Sequence, residues 1–205
     1  MKKLICRLSV CAGLFLSAAG AFGASTYYVA TNGNDGTTDG TNPETPFATI
    51  TAALAAATEP GDVVQIGEGT FDVTATLVLN RAVTLRGAGK DKTTLKGPAI
   101  TAPKTTPPWR GVSLSHDDAV VEKVKITGFQ PTNGNYEKGG AVTMTKGTVR
   151  ECHITGNVSY IFGSGGIGVY MSGGQVVDCV IEDNKADAST AGGTNVGGVG
   201  VWMTG

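Results

Sequence analysis

Short strings of alternating apolar and polar residues recur through the second half of the chain. One string, Val-x-Leu or Val-x-Met, appears four times at intervals of 30, 27 and 32 residues. Its copies begin at Val112, Val142, Val169 and Val201. A second string, at Cys152-His-Ile154, returns 27 residues later at Cys179-Val-Ile181. Because successive side chains of a strand point to opposite faces, each string predicts one short strand with one apolar face.

A period near 30 residues with glycine-rich connections is typical of a solenoid, in which each repeat stacks on its neighbours. We therefore predict parallel strands that stack coil on coil, with equivalent residues in columns. The interior columns are Val112, Val142, Val169 and Val201; Leu114, Met144, Met171 and Met203; Val124, Cys152 and Cys179; and Ile126, Ile154 and Ile181. The middle residues of the Val-x-Met strings are expected to point to solvent, and these are Ser113, Thr143, Tyr170 and Trp202.

The pattern changes to a helical period between Thr49 and Thr58, where Ile50, Ala53, Leu54 and Ala57 share one face. An open solenoid end exposes strand edges and apolar side chains, so we predict that this helix caps the first coil. The N-terminal cap then spans residues 24–60, and the coils span residues 61–205.

Residues 1–23 read as a signal peptide. Three basic residues, Lys2, Lys3 and Arg7, precede an apolar centre and small residues. The alternative, a membrane anchor, needs about 20 apolar residues, so we expect no transmembrane span. Removal of this segment leaves 13 basic and 17 acidic residues, a net charge of −4, which argues against nucleic acid as a partner.

Three segments carry a family resemblance: YYVATNGNDGTTDGTNPETPFATITAALAAA, GDVVQIGEGTF and LRGAGKDKTTLKG. They resemble the cap and first coils of secreted proteins of the pectin-lyase-like superfamily. The resemblance implies an all-β, right-handed parallel β-helix with an N-terminal α-helical cap. It leaves the activity open, because the superfamily includes lyases, hydrolases, esterases, tailspikes and noncatalytic adhesins.

A pectate-type lyase would need acidic residues that hold Ca²⁺ and a basic residue near them. Glu151 and Asp178 fall in one outward column with Lys123, and Glu182 lies nearby. Ca²⁺ takes six to eight oxygen ligands, so these carboxylates are candidate ligands. The competing interpretation, which the sequence favours, is a solvated face with ordinary surface charges.

The loop after the first strand carries a second group of oxygen-bearing side chains: Asn32, Asn34, Asp35, Asp39 and Asn42. A Ca²⁺-binding loop is one interpretation. The other, which we favour, is a series of turns in which each side chain accepts a backbone hydrogen bond nearby.

Tyr170 and Trp202 occupy equivalent outward places on consecutive coils. Exposed rings offer a flat apolar surface to sugars, so the pair is a candidate substrate-binding platform. The favoured alternative is a cross-coil pair that only stabilises adjacent strands.

Cys152 and Cys179 stand on neighbouring coils at about one strand spacing, within the range that a disulfide accepts. Stacked, reduced core cysteines are the alternative that we favour. The last string, with Val201 and Met203, lies at the carboxyl end without a polar cap. We therefore expect self-association through this coil.

The function expected from these patterns is that of a secreted or cell-surface β-helix whose partner is a polysaccharide or cell-surface glycan. A polysaccharide lyase that uses Ca²⁺ and a noncatalytic surface adhesin both remain open.

Overall fold

The computed structural model describes residues 23–36, 39–98, 110–130, 139–159, 165–186 and 199–204. The predicted signal peptide lies almost entirely outside these residues. Within them, short parallel strands stack into three long sheets, and one short helix covers the first coil. The chain visits the three sheets in turn, so each circuit forms one coil of a parallel β-helix. The predicted fold class is thus confirmed.

Each sheet takes one strand from every coil. Sheet A contains β1 (Thr26–Val29), β2 (Val63–Ile66), β5 (Thr84–Arg86), β8 (Val120–Glu122), β11 (Thr148–Arg150) and β15 (Gln175–Val177). Sheet B contains β3 (Gly69–Asp72), β6 (Thr93–Lys96), β9 (Lys125–Thr127), β12 (His153–Thr155) and β16 (Val180–Glu182). Sheet C contains β4 (Leu77–Leu79), β7 (Val112–Leu114), β10 (Val142–Met144), β14 (Val169–Met171) and β18 (Val201–Met203). A two-stranded ladder joins β13 (Val158–Ser159) to β17 (Lys185–Ala186).

The register places like residues over like residues, as the repeats predict. Val142 pairs with both Val112 and Val169, and Val169 pairs with Val201. Val112, Val142 and Val169 are fully buried, as are Cys152 and Ile154 of the neighbouring columns. The register thus confirms the predicted columns, and their burial is confirmed as far as Ile154 and Val169.

Burial decreases at the last coil. Met144 is 1% exposed, whereas Met203, at the same place two coils later, is 70% exposed, and Val201 is 39% exposed. These residues lie on β18, the edge strand of sheet C. The self-association that we expect at this edge stays a prediction.

The capping helix α1 (Ile50–Ala56) buries Ile50, Ala53 and Leu54 and contacts β1, β2 and β4. Thr49 is its N-cap, since Thr49 Oγ1 accepts a hydrogen bond from the N–H of Ala52 at 3.2 Å. The helix ends two residues before the predicted Thr58. Its position over the first coil confirms the expected cap.

The polar loop before α1 is built from side chain to backbone hydrogen bonds. Asp35 Oδ1 accepts the N–H groups of Ala48 and Thr49 at 2.7 and 3.0 Å, which ties the loop to the start of the helix. Asn34 and Asn42 each accept the N–H two residues ahead, at 2.9 Å. The described part of this loop thus forms the turns that we favoured over a Ca²⁺ loop.

A buried asparagine ladder closes the corner after sheet B. Asn157 is fully buried, and its Oδ1 accepts the N–H of Phe129 at 3.0 Å. Its Nδ2 donates to Asn184 Oδ1 at 2.8 Å and to the carbonyl of Ile126 at 3.2 Å. Asn184 repeats the pattern by donating to the carbonyl of Ile154 at 2.9 Å. The ladder satisfies corner backbone groups that would otherwise be buried without partners.

The prediction that Thr143 is exposed to solvent is wrong. Thr143 is on the outer face of sheet C but is only 9% exposed, because the backbone at Gly139 lies over it. A Cβ atom at Gly139 would stand 2.3 Å from Thr143 Cγ2. Gly139 has φ of 83°, so glycine is favoured there for both its conformation and its size.

The register predicts opposite outcomes for two valines of sheet C. Val169 is fully buried, and Val78, on the outer face of the same sheet, is 49% exposed. We expect Val169→Asp to lower the free energy of unfolding by at least about 3 kcal/mol, because the charge has no buried partner. Val78→Asp should cost about 1 kcal/mol or less. Equal losses in chemical denaturation would show that the register is wrong.

The asparagine ladder gives a second stability prediction. Asn157→Ala removes the acceptor of the Phe129 N–H and the Nδ2 group that donates to Asn184 Oδ1 and to the carbonyl of Ile126. We expect a loss of about 2–4 kcal/mol in the free energy of unfolding. Asn80→Ala, at an exposed asparagine, is the control and should change it by about 0.5 kcal/mol or less. A neutral Asn157→Ala variant would contradict the structural role of the ladder.

Candidate functional site

A groove of about 370 Å³ runs across consecutive coils at the corner between sheets A and B. One wall is the loop from Ala88 to Lys92, which connects β5 to β6. The floor and the other wall come from the bends that follow β8, β11 and β15. Those bends place Lys123, Glu151 and Asp178 in the groove.

The backbone at these bends is unusual. Lys123, Glu151 and Asp178 have φ of 59°, 53° and 51°, the left-handed region that favours glycine. The bend turns the chain from sheet A into sheet B within two residues, which explains why a left-handed residue is needed. It does not explain why the residue is charged. At the corner after sheet B, two of the equivalent left-handed residues are glycines, Gly128 and Gly156.

Most of the charges in and around the groove have partners. Lys92 Nζ lies 2.7 Å from Glu68 Oε1, and Lys123 Nζ lies 4.0 Å from Glu151 Oε2. Asp178 forms no ion pair with any residue in the described part of the chain. The groove therefore offers ammonium donors and carboxylate acceptors side by side, a combination that suits a ligand rich in hydroxyl groups.

A triad of charged residues precedes the groove on the outer face of sheet A. The carboxylate of Glu122 lies between Arg86 of the preceding coil and Arg150 of the next, with Arg150 Nε donating at 2.6 Å. The side chain of Glu122 is only 3% exposed, whereas those of Arg86 and Arg150 are 40% and 45% exposed. Burial opposes ionisation of Glu122, but the hydrogen bonds and charges of the two arginines outweigh it and hold its pKa below the ordinary value.

The three candidate Ca²⁺ ligands do not come together. Glu151 and Asp178 both line the groove, but Glu182 is on β16 of sheet B. Its Oε1 lies 2.9 Å from Nε2 of His153, so it belongs to a separate pair. No group of three or more histidine, cysteine, aspartate or glutamate side chains that could hold a metal occurs among the residues that the structure describes. The three carboxylates therefore do not form one cluster, and Ca²⁺ binding by Glu151 and Asp178 stays a prediction.

Tyr170 and Trp202 do not form an open platform. Their rings meet edge to face, with centroids 6.4 Å apart and planes at 71°. Backbone also lies against them, since a Cβ atom at Gly165 would stand 1.1 Å from Trp202 Cε3. A flat sugar-binding surface needs ring faces that are free and roughly parallel to the ligand. The geometry instead fits the cross-coil aromatic pair that we favoured.

Two parts of the site were missed in the sequence analysis, namely the Ala88–Lys92 wall and the Arg86–Glu122–Arg150 triad. The column of Lys123, Glu151 and Asp178 was recognised because its members are spaced 28 and 27 residues apart, like the strands. Arg86 precedes Glu122 by 36 residues, a longer interval that hides the pairing. The available signal was the alternation of charge among Arg86, Glu122 and Arg150, each of which ends an apolar-alternating string.

The stacked parallel coils, the asparagine ladder and the capping helix define the class of this protein as a parallel β-helix. A family model matches residues 31–200, and the chain belongs to that family, DUF1565, described as proteins of unknown function. No curated protein and no solved structure shows a significant match. Across the described residues, no helix has the length and apolar character needed to cross a bilayer.

The triad predicts a specific loss of stability in acid. Because the pKa of Glu122 is lower in the folded chain than its ordinary value of 4.5, its stabilising effect is complete above that value and is lost as pH falls through the folded pKa. At neutral pH, Glu122→Gln should lower the free energy of unfolding by about 1–3 kcal/mol. The difference from the parent should shrink below about pH 4.

Glu68→Gln is the control for this experiment, because it removes a carboxylate from an exposed pair with Lys92. Its effect on chemical denaturation should be much smaller at every pH. A Glu122→Gln effect that stays constant from neutral to acidic pH would contradict the assignment.

Proposed function

We propose that this protein is an extracellular β-helix that binds an extended polysaccharide in the groove between sheets A and B. The sequence supports export through the signal peptide predicted at residues 1–23. The resemblance to the pectin-lyase-like superfamily supports a carbohydrate ligand. The direction of the groove supports an extended one, since its lining residues recur at about one strand spacing along the stack.

The observation that carries the proposal is the charge on the left-handed bends. A left-handed conformation costs a non-glycine residue roughly 1–2 kcal/mol. Glycine would relieve that cost, yet all three bends that face the groove carry an ionisable side chain. Strained backbone of this kind clusters at functional sites.

Replacement of these side chains by glycine separates binding from stability. In Glu151→Gly and Asp178→Gly, the backbone loses its strain, so the free energy of unfolding should stay level or rise by up to about 1 kcal/mol. Affinity gels that contain polygalacturonate, alginate or xylan measure binding. Both variants should bind severalfold more weakly than the parent to any polymer that slows the migration of the parent.

Asp183→Gly is the matched control. Asp183 is exposed and has φ of 53°, but it lies at the corner after β16 and does not line the groove. It should show the same stability gain and unchanged binding. Equal weakening in all three variants, or undiminished binding by Glu151→Gly and Asp178→Gly, would contradict the groove assignment.

A second candidate function is a polysaccharide lyase. The observation that favours it is the presence of Lys123 beside Glu151 and Asp178 in one groove, which brings a basic residue to two carboxylate oxygen donors. Such an enzyme would remove a proton next to a uronate carboxylate and break the glycosidic bond on the adjacent carbon. Ca²⁺ would be bound by oxygen atoms of the substrate and of these two carboxylates.

The two functions differ in product. Incubation with polygalacturonate and Ca²⁺ yields an unsaturated, ultraviolet-absorbing product if the protein is a lyase, and Lys123→Met should abolish it. Binding without product supports a noncatalytic surface protein of the adhesin type.

A further inference from the structure

Two cysteines meet at the corner between sheets A and B and take no part in the proposed groove. Cys152 follows the bend residue Glu151, and Cys179 follows Asp178, one coil further on. The backbone holds them in register, because Glu151 N–H donates to the carbonyl of Val177 at 3.1 Å and Val180 N–H donates to the carbonyl of Cys152 at 2.9 Å. Paired parallel strands on both sides of the corner fix the two residues at about one strand spacing.

Their environments differ. Cys152 is fully buried, whereas Cys179 is only partly buried. Both are free thiols, and their contacts with the backbone are equivalent: Cys152 Sγ lies 3.2 Å from the carbonyl oxygen of Arg150, and Cys179 Sγ lies 3.3 Å from that of Val177. The pair thus consists of one accessible thiol and one that solvent does not reach, and the spacing lies in the range that a disulfide accepts.

We propose that Cys152 and Cys179 form a thiol–disulfide exchange site that reacts with small disulfides and closes into a cross-coil disulfide. Cys179 is the attacking thiol, and Cys152 is the resolving thiol. This inference is independent of the proposed function.

The burial of the two thiols sets this order of reaction. Cys179 is only partly buried, so a small disulfide reaches its sulfur, whereas Cys152 is fully buried. In thiol–disulfide exchange the attacking sulfur must be accessible to its partner. Cys179 is therefore the sulfur that reacts first, and Cys152 reacts only with the mixed disulfide beside it.

The exchange has two balanced steps. The Cys179 thiolate attacks one sulfur of a small disulfide, which forms a mixed disulfide and releases one small thiolate. Cys152 then loses its proton and attacks the Cys179 sulfur, which forms the protein disulfide and releases the second small thiol. The two cysteines lose two electrons and two protons in total, and the small disulfide gains them.

The test uses glutathione disulfide as the probe at neutral pH, with intact-protein mass spectrometry of the 205-residue chain. The parent and every variant carry Cys6→Ser and Cys11→Ser, because these two cysteines of the predicted signal peptide would also react. The parent should lose the mass of two hydrogen atoms and retain no glutathione. Cys152→Ala should stop at one glutathione adduct on Cys179, because the resolving thiol is absent. Cys179→Ala should react at least tenfold more slowly than the parent, because the remaining thiol is buried.

Circular dichroism establishes that each variant is folded, and Cys152→Ser replaces Cys152→Ala if the latter does not fold. Three results would overturn the proposal: a stable glutathione adduct on the parent, adduct formation by Cys179→Ala at the parental rate, or no reaction of the parent. The last result would show that the two thiols are only core residues.

Discussion

The rest of the structure depends on one constraint: each coil must hydrogen-bond to the next in a single register. The register pairs such as Val142 with Val112 and Val169 hold every sheet to about one strand spacing between equivalent residues. At that distance, each interior residue packs mainly on its own equivalents. An interior column must therefore be apolar throughout, or else polar and self-complementary. The valine column of sheet C is apolar, and the column of Asn157 and Asn184 is polar and hydrogen-bonds to itself.

The same constraint acts on the outer surface, where it turns single charges into columns. In sheet A, the column alternates in sign, since Glu122 lies between Arg86 and Arg150. Because the signs alternate, the strand register alone places a buried carboxylate between two arginines. A buried charge flanked in this way is far less costly than an unpaired one.

Features that repeat with the coil were accessible from the sequence, and features that cross between coils were not. The period alone predicted the columns at Val142 and Ile154, and the helical period predicted α1 near its observed bounds. Thr143 was misjudged because the backbone of the corner that precedes its strand, at Gly139, lies over it. Strand alternation predicts only which face of the sheet a side chain takes, and contact with another segment decides whether water reaches it.

The candidate site shows the same limit. The sequence placed Glu151 and Asp178 on consecutive coils, with Glu182 nearby. In the structure, Glu182 turns to His153, at 2.9 Å, on its own sheet. Carboxylates on different sheets of a solenoid face different directions, so proximity along the chain does not bring them to one ion.

The groove departs from the charge pattern that the stack otherwise follows. Its column runs Lys123, Glu151, Asp178, so two carboxylates stand on neighbouring coils, and the one lysine approaches only Glu151. Like charges at adjacent positions destabilise a sheet, as left-handed bends destabilise a non-glycine backbone. Stability alone would favour glycine at these bends, or alternating signs as in the triad of sheet A. The groove has neither glycine at its bends nor alternating charges. A role in ligand binding is expected where the residues of a site lower the stability of the fold.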